Sequence, residues 1–394
     1  MSMDECPIIS HEWVTVYPRN HTIYEFDDVT FLVDGEMSGV VPVHLTQRGK
    51  QLMAYLSAGS PDAMNPATRI RANEDTVPIV KNVAPIKGAS TGHIEYCWKK
   101  LCQADSFPPE LPYNFTARYD PYVIYSTPNG SFLLLYVLQG NEKDAEKQRE
   151  AIVSGNETFM RNVARLHGLV SLLVYIPPGD GARVTRVLLT GTCTRDRIEA
   201  GLQRTDGIEY IKTRNYFSKR TSSAEGSESN ESDGDSPLDY PLCHDKVKDL
   251  SPLQRNSYYQ KFYEIIQNKD SQIRPLAFFD VIHLPSGMNP EEAAAFVSTY
   301  QASLYFMPTH SNVNNLLNSE EVVEALSNAF RKSPDGQMPR IIPSHSSKFV
   351  TMLKNRGLAT RQFIVLPPTH EIKAGVRFNK REQEMAGNRY EIHA

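Results

Sequence analysis

The sequence predicts a multidomain chain that mixes the α+β and α/β classes, with a β-rich N-terminal region, a mixed α/β middle and a small C-terminal α/β domain. Three observations predict it. Short runs of β-branched and aromatic residues, punctuated by Gly and Pro, dominate the start of the chain. Beyond residue 116, strand-like runs alternate with helical periods. An acidic, serine-rich stretch then isolates a C-terminal part that has its own strands, caps and stops. The expected units are residues 1–115, 116–216, 217–249, 250–305 and 306–394.

The N-terminal strands are read at residues 13–17 (WVTVY), 29–33 (VTFLV), 40–45 (VVPVHL) and 52–56, with Gly35, Gly39 and Pro42 between them. Residues 57–84 are rich in Pro, Asn, Ala and charge and read as an exposed loop, and Pro108, Pro109 and Pro112 mark another break. No internal repeat is visible. PYVIYS at 121–126 and FLLLYVL at 132–138 flank Asn129-Gly130, a hairpin signal in which Gly supplies the positive φ. Residues 142–153 read as a charged helix, and Phe159, Val163 and Leu166 as the inward face of a second one that ends near Gly168. LVSLLVYI at 169–176 is a continuous apolar run, as a strand buried on both faces requires, and 184–189 is its partner. Residues 222–236, SSAEGSESNESDGDS, cannot bury a core and are expected to be disordered, with Ser227, Ser229 and Ser232 as phosphorylation candidates. Residues 250–267 read as a helix with Tyr259, Phe262, Ile265 and Ile266 inward.

The most ordered stretch is 304–366. A strand ends at Pro308-Thr309-His310. Asn318 or Ser319 offers an N-cap to a helix with Val322, Val323, Leu326 and Phe330 on one face. Ser333-Pro334-Asp335-Gly336 stops it. Met338 to Ile342 passes from exposed to buried, Ser346 caps a second helix closed by Gly357, and a last strand at 362–366 halts at Pro367-Pro368.

That order resembles the assembly domain of the fifth subunit of eukaryotic nuclear RNA polymerases, a module similar to the small archaeal polymerase subunit that consists of this domain alone. The resemblance is carried by Pro308-x-His310, Ser319-Glu-Glu-Val322, Met338-Pro-Arg-Ile341 and the strand Phe363 to Leu366. Upstream, the strand from Arg274 and then Gly287-Met288-Asn289-Pro290 resemble the end of the eukaryotic subunit's jaw domain. Ser344-His345-Ser346 stands where the family has Asp-Pro. The resemblance covers about residues 273–394 and implies a non-catalytic subunit of a DNA-directed RNA polymerase. Such a subunit docks on the largest subunit and contacts others, lies near downstream duplex DNA, holds no cofactor or metal, and works in the nucleus. A docking module needs apolar anchors and hydrogen-bonding Arg, and the partner-binding candidates are Met338, Arg340, Ile341, Phe363 and Phe378. Core packing is the competing role for Ile341 and Phe363.

Composition limits the alternatives. The net charge of −4 and pI near 6.3 give no overall basic field for a nucleic-acid coat. Cys6, Cys97, Cys102, Cys193 and Cys243 are scattered and odd in number, which fits free thiols in a reducing compartment. MSMDECPIIS lacks the pattern of a signal peptide, and no apolar run approaches membrane-spanning length. Gly179-Asp180-Gly181 lacks the Lys-Ser/Thr of a phosphate loop. His310, His345 and His370 each follow a strand-like run. On parallel neighbouring strands they would gather at one sheet edge, with Glu371 at hand, as a metal or phosphoesterase site requires. A structural or scaffold protein of a viral assembly, in a virion or cytoplasmic viral factory, is the second expectation, and a His-dependent hydrolase the third.

Overall fold

A computed structural model describes residues 13–18, 21–26, 29–35, 51–59, 79–84, 86, 121–127, 130–178, 183–203, 205, 208–212, 277–285, 290–307, 320–330, 338–343, 346–366, 376–379 and 390–392. These residues mix α and β structure, with two sheets and six helices. The strands are β1 Trp13–Pro18, β2 His21–Phe26, β3 Val29–Gly35, β4 Gln51–Tyr55, β5 Ile79–Val80, β6 Tyr122–Ser126, β7 Phe132–Gln139, β8 Val170–Ile176, β9 Thr185–Leu189, β10 Ala277–His283, β11 Tyr300–Met307, β12 Arg340–Pro343, β13 Ile364–Val365, β14 Val376–Asn379 and β15 Tyr390–Ile392. The helices are α1 Glu142–Ser154, α2 Glu157–His167, α3 Arg195–Leu202, α4 Pro290–Thr299, α5 Glu320–Ala329 and α6 Lys348–Thr360. Among the described residues no helix is long and apolar enough to cross a membrane.

One sheet has seven strands in the order β15-β14-β1-β2-β3-β4-β5, and the other eight in the order β13-β12-β11-β10-β9-β8-β7-β6. The sheets follow a common plan. In the first, β1 to β3 are antiparallel and β4 and β5 continue parallel to β3. In the second, β6 to β9 are antiparallel and β10 to β13 continue parallel to β9. The eight-stranded sheet takes strands from both sides of the acidic stretch, and the C-terminal β14 and β15 pair onto the N-terminal β1.

The period-two pattern of the strands explains the core. Tyr24, Phe26, Val29, Phe31, Val33, Met53 and Tyr55 face inward from one sheet. Leu133, Leu135, Leu173, Tyr175, Val187, Leu189, Leu304 and Ile342 meet them from the other. Phe26 and Tyr175 approach across the gap with ring centroids 5.1 Å apart. The opposite face of the eight-stranded sheet carries Leu134, Tyr136, Leu138, Leu172, Val174 and Ile176. It is covered by Ile198 and Leu202 of α3, Phe296 of α4, Leu326 of α5, and Phe349 and Leu353 of α6. β8 is buried at all seven positions, as a continuous apolar run between two layers must be.

Several elements differ from expectation in instructive ways. β2 forms where no strand is predicted, because HTIYEF alternates only weakly. The loop expected at 57–84 has buried ends: Ser57 is 3% exposed and Asn82 3%, and β5 lies within it. In α2 the inward face is Met160, Val163 and Ala164, while Phe159 is 40% and Leu166 57% exposed. Ser347, not Ser346, caps α6, its hydroxyl accepting from the Val350 N–H at 3.2 Å. Gly357 does not close that helix, which runs on to Thr360 and ends at Arg361 with φ 53°. Glycine is needed at 357 because a Cβ there would lie 2.8 Å from the Phe363 ring and 2.9 Å from its carbonyl oxygen. The hairpin behaves as expected, with Gly130 at φ 89°. The strand at 40–45, the helix at 250–267, the acidic stretch 222–236, the Gly179-Asp180-Gly181 turn and the other four cysteines lie outside the described residues.

Candidate functional site

Parallel pairing brings strand ends together. β3 and β4 finish on the same side of their sheet, and β7, β9 and β10 finish beside them, because β8 enters there in the opposite direction. The Leu169 N–H, just before β8, donates to the Ser57 carbonyl, just after β4, at 2.6 Å, and so joins the two sheets at this edge.

A polar network fills the edge. Asp34, at φ 29° near the end of β3, accepts from the Ser57 N–H at 2.8 Å. Burial raises its carboxyl from 3.8 to about 6, opposed by the Ser57 hydroxyl and backbone N–H. The Tyr55 hydroxyl donates to Ser171 Oγ at 3.1 Å, and burial raises that phenol well above its usual range. Gly191, at φ 56°, packs so closely on Ser57 that a Cβ would lie 2.6 Å from the Ser57 side chain. The Gly59 N–H donates to Gln148 Oε1 at 2.6 Å, and Gln148 Nε2 donates to the His167 carbonyl at 2.9 Å. α1 and α2 are thereby fastened to the strand ends.

Asp144 is the hub on the helical side. It completes a capping box with Asn141, each side chain accepting from the other's backbone N–H at 3.0 Å. Its carboxylate also accepts from Arg197 at 2.8 Å and lies 2.7 Å from His167 Nδ1. Arg197 in turn donates to the Gly168 carbonyl at 2.8 Å. Burial pushes the Cys193 thiol up to about 12 even though Arg197 pulls it the other way, so Cys193 stays a protonated, unreactive thiol.

Two further polar ties lie along the sheets. His283 Nε2, at the end of β10, lies 2.5 Å from the Tyr24 hydroxyl of β2, and its ring packs on Phe306 with centroids 4.9 Å apart. Burial holds that imidazole neutral down to about 3. Asp280 in β10 accepts from Arg186 Nε at 2.9 Å, from the Arg186 N–H at 2.8 Å and from Arg183 at 2.5 Å, and Arg186 also donates to the Tyr210 carbonyl at 2.7 Å. Burial pushes the Asp280 carboxyl up, but the two guanidiniums outweigh it and hold it below the usual carboxylate range.

The structure places the sequence-derived candidates as follows. Ile341 is 0% and Phe363 2% exposed, inside the core, with Phe363 5.2 Å from the Phe330 ring. Neither side chain presents a surface to a partner. Met338 and Arg340 are half-buried at the start of β12. Phe378 lies in β14, opposite Val14 on one side and Tyr390 on the other. β11, β12 and β13 are parallel neighbours, as the histidine argument requires, but His310, His345 and His370 themselves lie outside the described residues. Among the described residues no group of three or more His, Cys, Asp or Glu could hold a metal ion. The edge network is not among the sites that the sequence predicts. A readable trace of it is the Asn-x-x-Asp spacing at 141–144, which is a capping signature.

No family model matches the chain. Over 186 residues, 46% of its length, the chain is 27% identical to the microtubule-associated protein homolog maph-1.1 of Caenorhabditis elegans. The match takes in 21% of that protein, so the chain corresponds to about a fifth of the relative's length.

Proposed function

We propose that the protein is a binding module of the microtubule cytoskeleton. The observation that carries this reading is the 186-residue similarity to a protein named as a microtubule-associated protein homolog. The packing is compatible with a rigid platform. Two sheets share one apolar core, and helices buttress the outer face of the larger sheet. Co-sedimentation with assembled microtubules tests the proposal. Saturable pelleting of the full chain supports it, and retention in the supernatant at excess polymer refutes it.

A polymerase-subunit role is the second reading. It is favoured by the strand–helix–strand–helix–strand order β11, α5, β12, α6, β13 and the short motifs placed along it. On that reading residues 306–394 are the docking unit, and half-buried Met338 and Arg340 remain its contact candidates. Affinity purification separates the two: a polymerase subunit brings the two large catalytic subunits with it, and a cytoskeletal module brings tubulin.

A further inference from the structure

Charge is unevenly spread along this chain. Residues 336–370 contain Arg340, Lys348, Lys354, Arg356 and Arg361 and no Asp or Glu, although the whole chain carries a net charge of −4. The fold concentrates that excess on one helix. α6 buries Phe349, Val350, Leu353 and Gly357, which leaves Lys348, Lys354 and Arg356 exposed on its outer arc, with Arg361 exposed at its C-terminal cap. Arg356 has a distant ion pair with Glu324 of α5 at 3.5 Å, and both side chains are largely solvated. A solvated pair of that kind neutralises little.

An apolar group stands within this charge. Lys354 and Leu358, spaced i and i+4, share one side of α6, and exposed Arg361, at φ 53°, is the cap residue just beyond its last turn. Leu358 is 71% exposed, the most exposed of the large hydrophobic residues described, and Ile364 of β13, just beyond the helix, is 36% exposed. At that exposure Leu358 contributes little to the packing of its own fold. Beside a partner it would supply an apolar anchor, with the flanking cations steering and orienting an acidic chain.

We propose that the Lys354–Leu358–Arg361 stripe at the C-terminal end of α6 is a docking face for an acidic peptide segment of a partner protein, one that offers carboxylates on either side of an apolar residue. The proposal names the contact chemistry of the binding role put forward above and rests on that role. The carboxylates pair with Lys354 and Arg361, and the apolar residue covers Leu358. Because the contact is solvent-exposed and electrostatic, binding weakens as salt is raised.

The test uses the full chain and two probes: a fluorescein-labelled poly-glutamate peptide read by anisotropy, and assembled microtubules read by co-sedimentation. The expected result is salt-sensitive binding of the peptide by the wild type, weakened about tenfold or more by K354E/R361E. L358S is expected to weaken an acidic peptide containing leucine more than it weakens poly-glutamate. K143E/K147E, on exposed positions of α1, changes the net charge equally and serves as the control. Thermal melts establish that each variant is folded. Equal losses in the two charge-reversal variants, or no peptide binding by the wild type, overturn the proposal. Microtubule pelleting that survives K354E/R361E overturns the stripe while leaving the cytoskeletal reading intact. Peptide binding that depends on α6 without any pelleting supports the stripe and removes microtubules as the partner.

Discussion

Replacing Asp34 by Asn should stabilise the protein above neutral pH and leave it unchanged in acid. Burial raises this carboxyl from 3.8 to about 6. An acid with a higher midpoint in the folded state keeps a proton there that the unfolded chain releases. Stability is therefore full below the unfolded midpoint, falls as pH rises through about 6, and stays low beyond it. Each tenfold difference in acid strength is worth about 1.4 kcal/mol, so the whole rise corresponds to about 3 kcal/mol. Asp34 keeps part of its surface, and solvent screening reduces the expected cost to about 2 kcal/mol. Asn retains an oxygen for the Ser57 N–H and tolerates the left-handed φ of 29° that Asp34 adopts. The Ser57 hydroxyl can turn from donor to acceptor. Denaturant unfolding of both proteins at about pH 3 and about pH 8 measures the difference. The two should coincide in acid and differ by about 2 kcal/mol in favour of Asp34→Asn at the higher pH. Asp34→Ala should fall below Asp34→Asn by about 1–3 kcal/mol at every pH, because it strands the buried Ser57 N–H. A less stable Asp34→Asn at the higher pH, or a gap that ignores pH, would refute the reasoning.

Asp280→Asn should cost about 3–5 kcal/mol in chemical denaturation, since it removes the carboxylate that Arg186, 0% exposed, shares with Arg183. Combining it with Arg186→Met should cost less than the sum of the two single changes, because the two side chains form one ion pair and its loss is counted once. Gly357→Ala should destabilise by about 1–3 kcal/mol despite the better helix propensity of Ala, since the new Cβ meets the Phe363 ring and carbonyl. A stabilised Gly357→Ala in a thermal melt would mean that Phe363 yields freely. On α2, Phe159→Ser and Leu166→Ser should each change stability by about 0.5 kcal/mol or less, and Met160→Ala by about 2–5 kcal/mol.

Much of the secondary structure was legible because it depends on local rules. The apolar run at 170–176 is a strand buried on both faces, and the hairpin glycine at 130 adopts positive φ. The helical period at 320–329 became α5. What was not legible depends on contacts made beyond the element itself. Phe159 and Leu166 look inward by spacing alone, but α2 is rotated so that Met160 and Ala164 meet the neighbouring structure instead. Gly357 looks like a helix stop, yet its small size answers to Phe363 six residues on. The edge network was least visible of all. Asp34, Ser57, Gly191 and Cys193 are ordinary residues in sequence, and parallel pairing of β3 with β4 and antiparallel pairing of β8 with β9 bring them together.

The polar ties also account for a property that apolar packing cannot supply. An alternating strand that slips by one residue turns its apolar set outward, so the two-sheet core excludes that error. A slip by two residues keeps the apolar face inward, and Tyr24, Phe26, Val29, Phe31 and Val33 leave the core almost as well filled. It would, however, move Tyr24 away from His283 of β10, Tyr55 away from Ser171 of β8, and Arg186 away from Asp280. Each displaced group is buried or partly buried, so each slip leaves donors and acceptors unmatched at about 1–3 kcal/mol apiece, and more for the charged pair. Two of these ties cross from one sheet to the other, and the third joins adjacent strands of the larger sheet. The apolar alternation thus selects which faces meet, and the three polar ties select the register in which they do so.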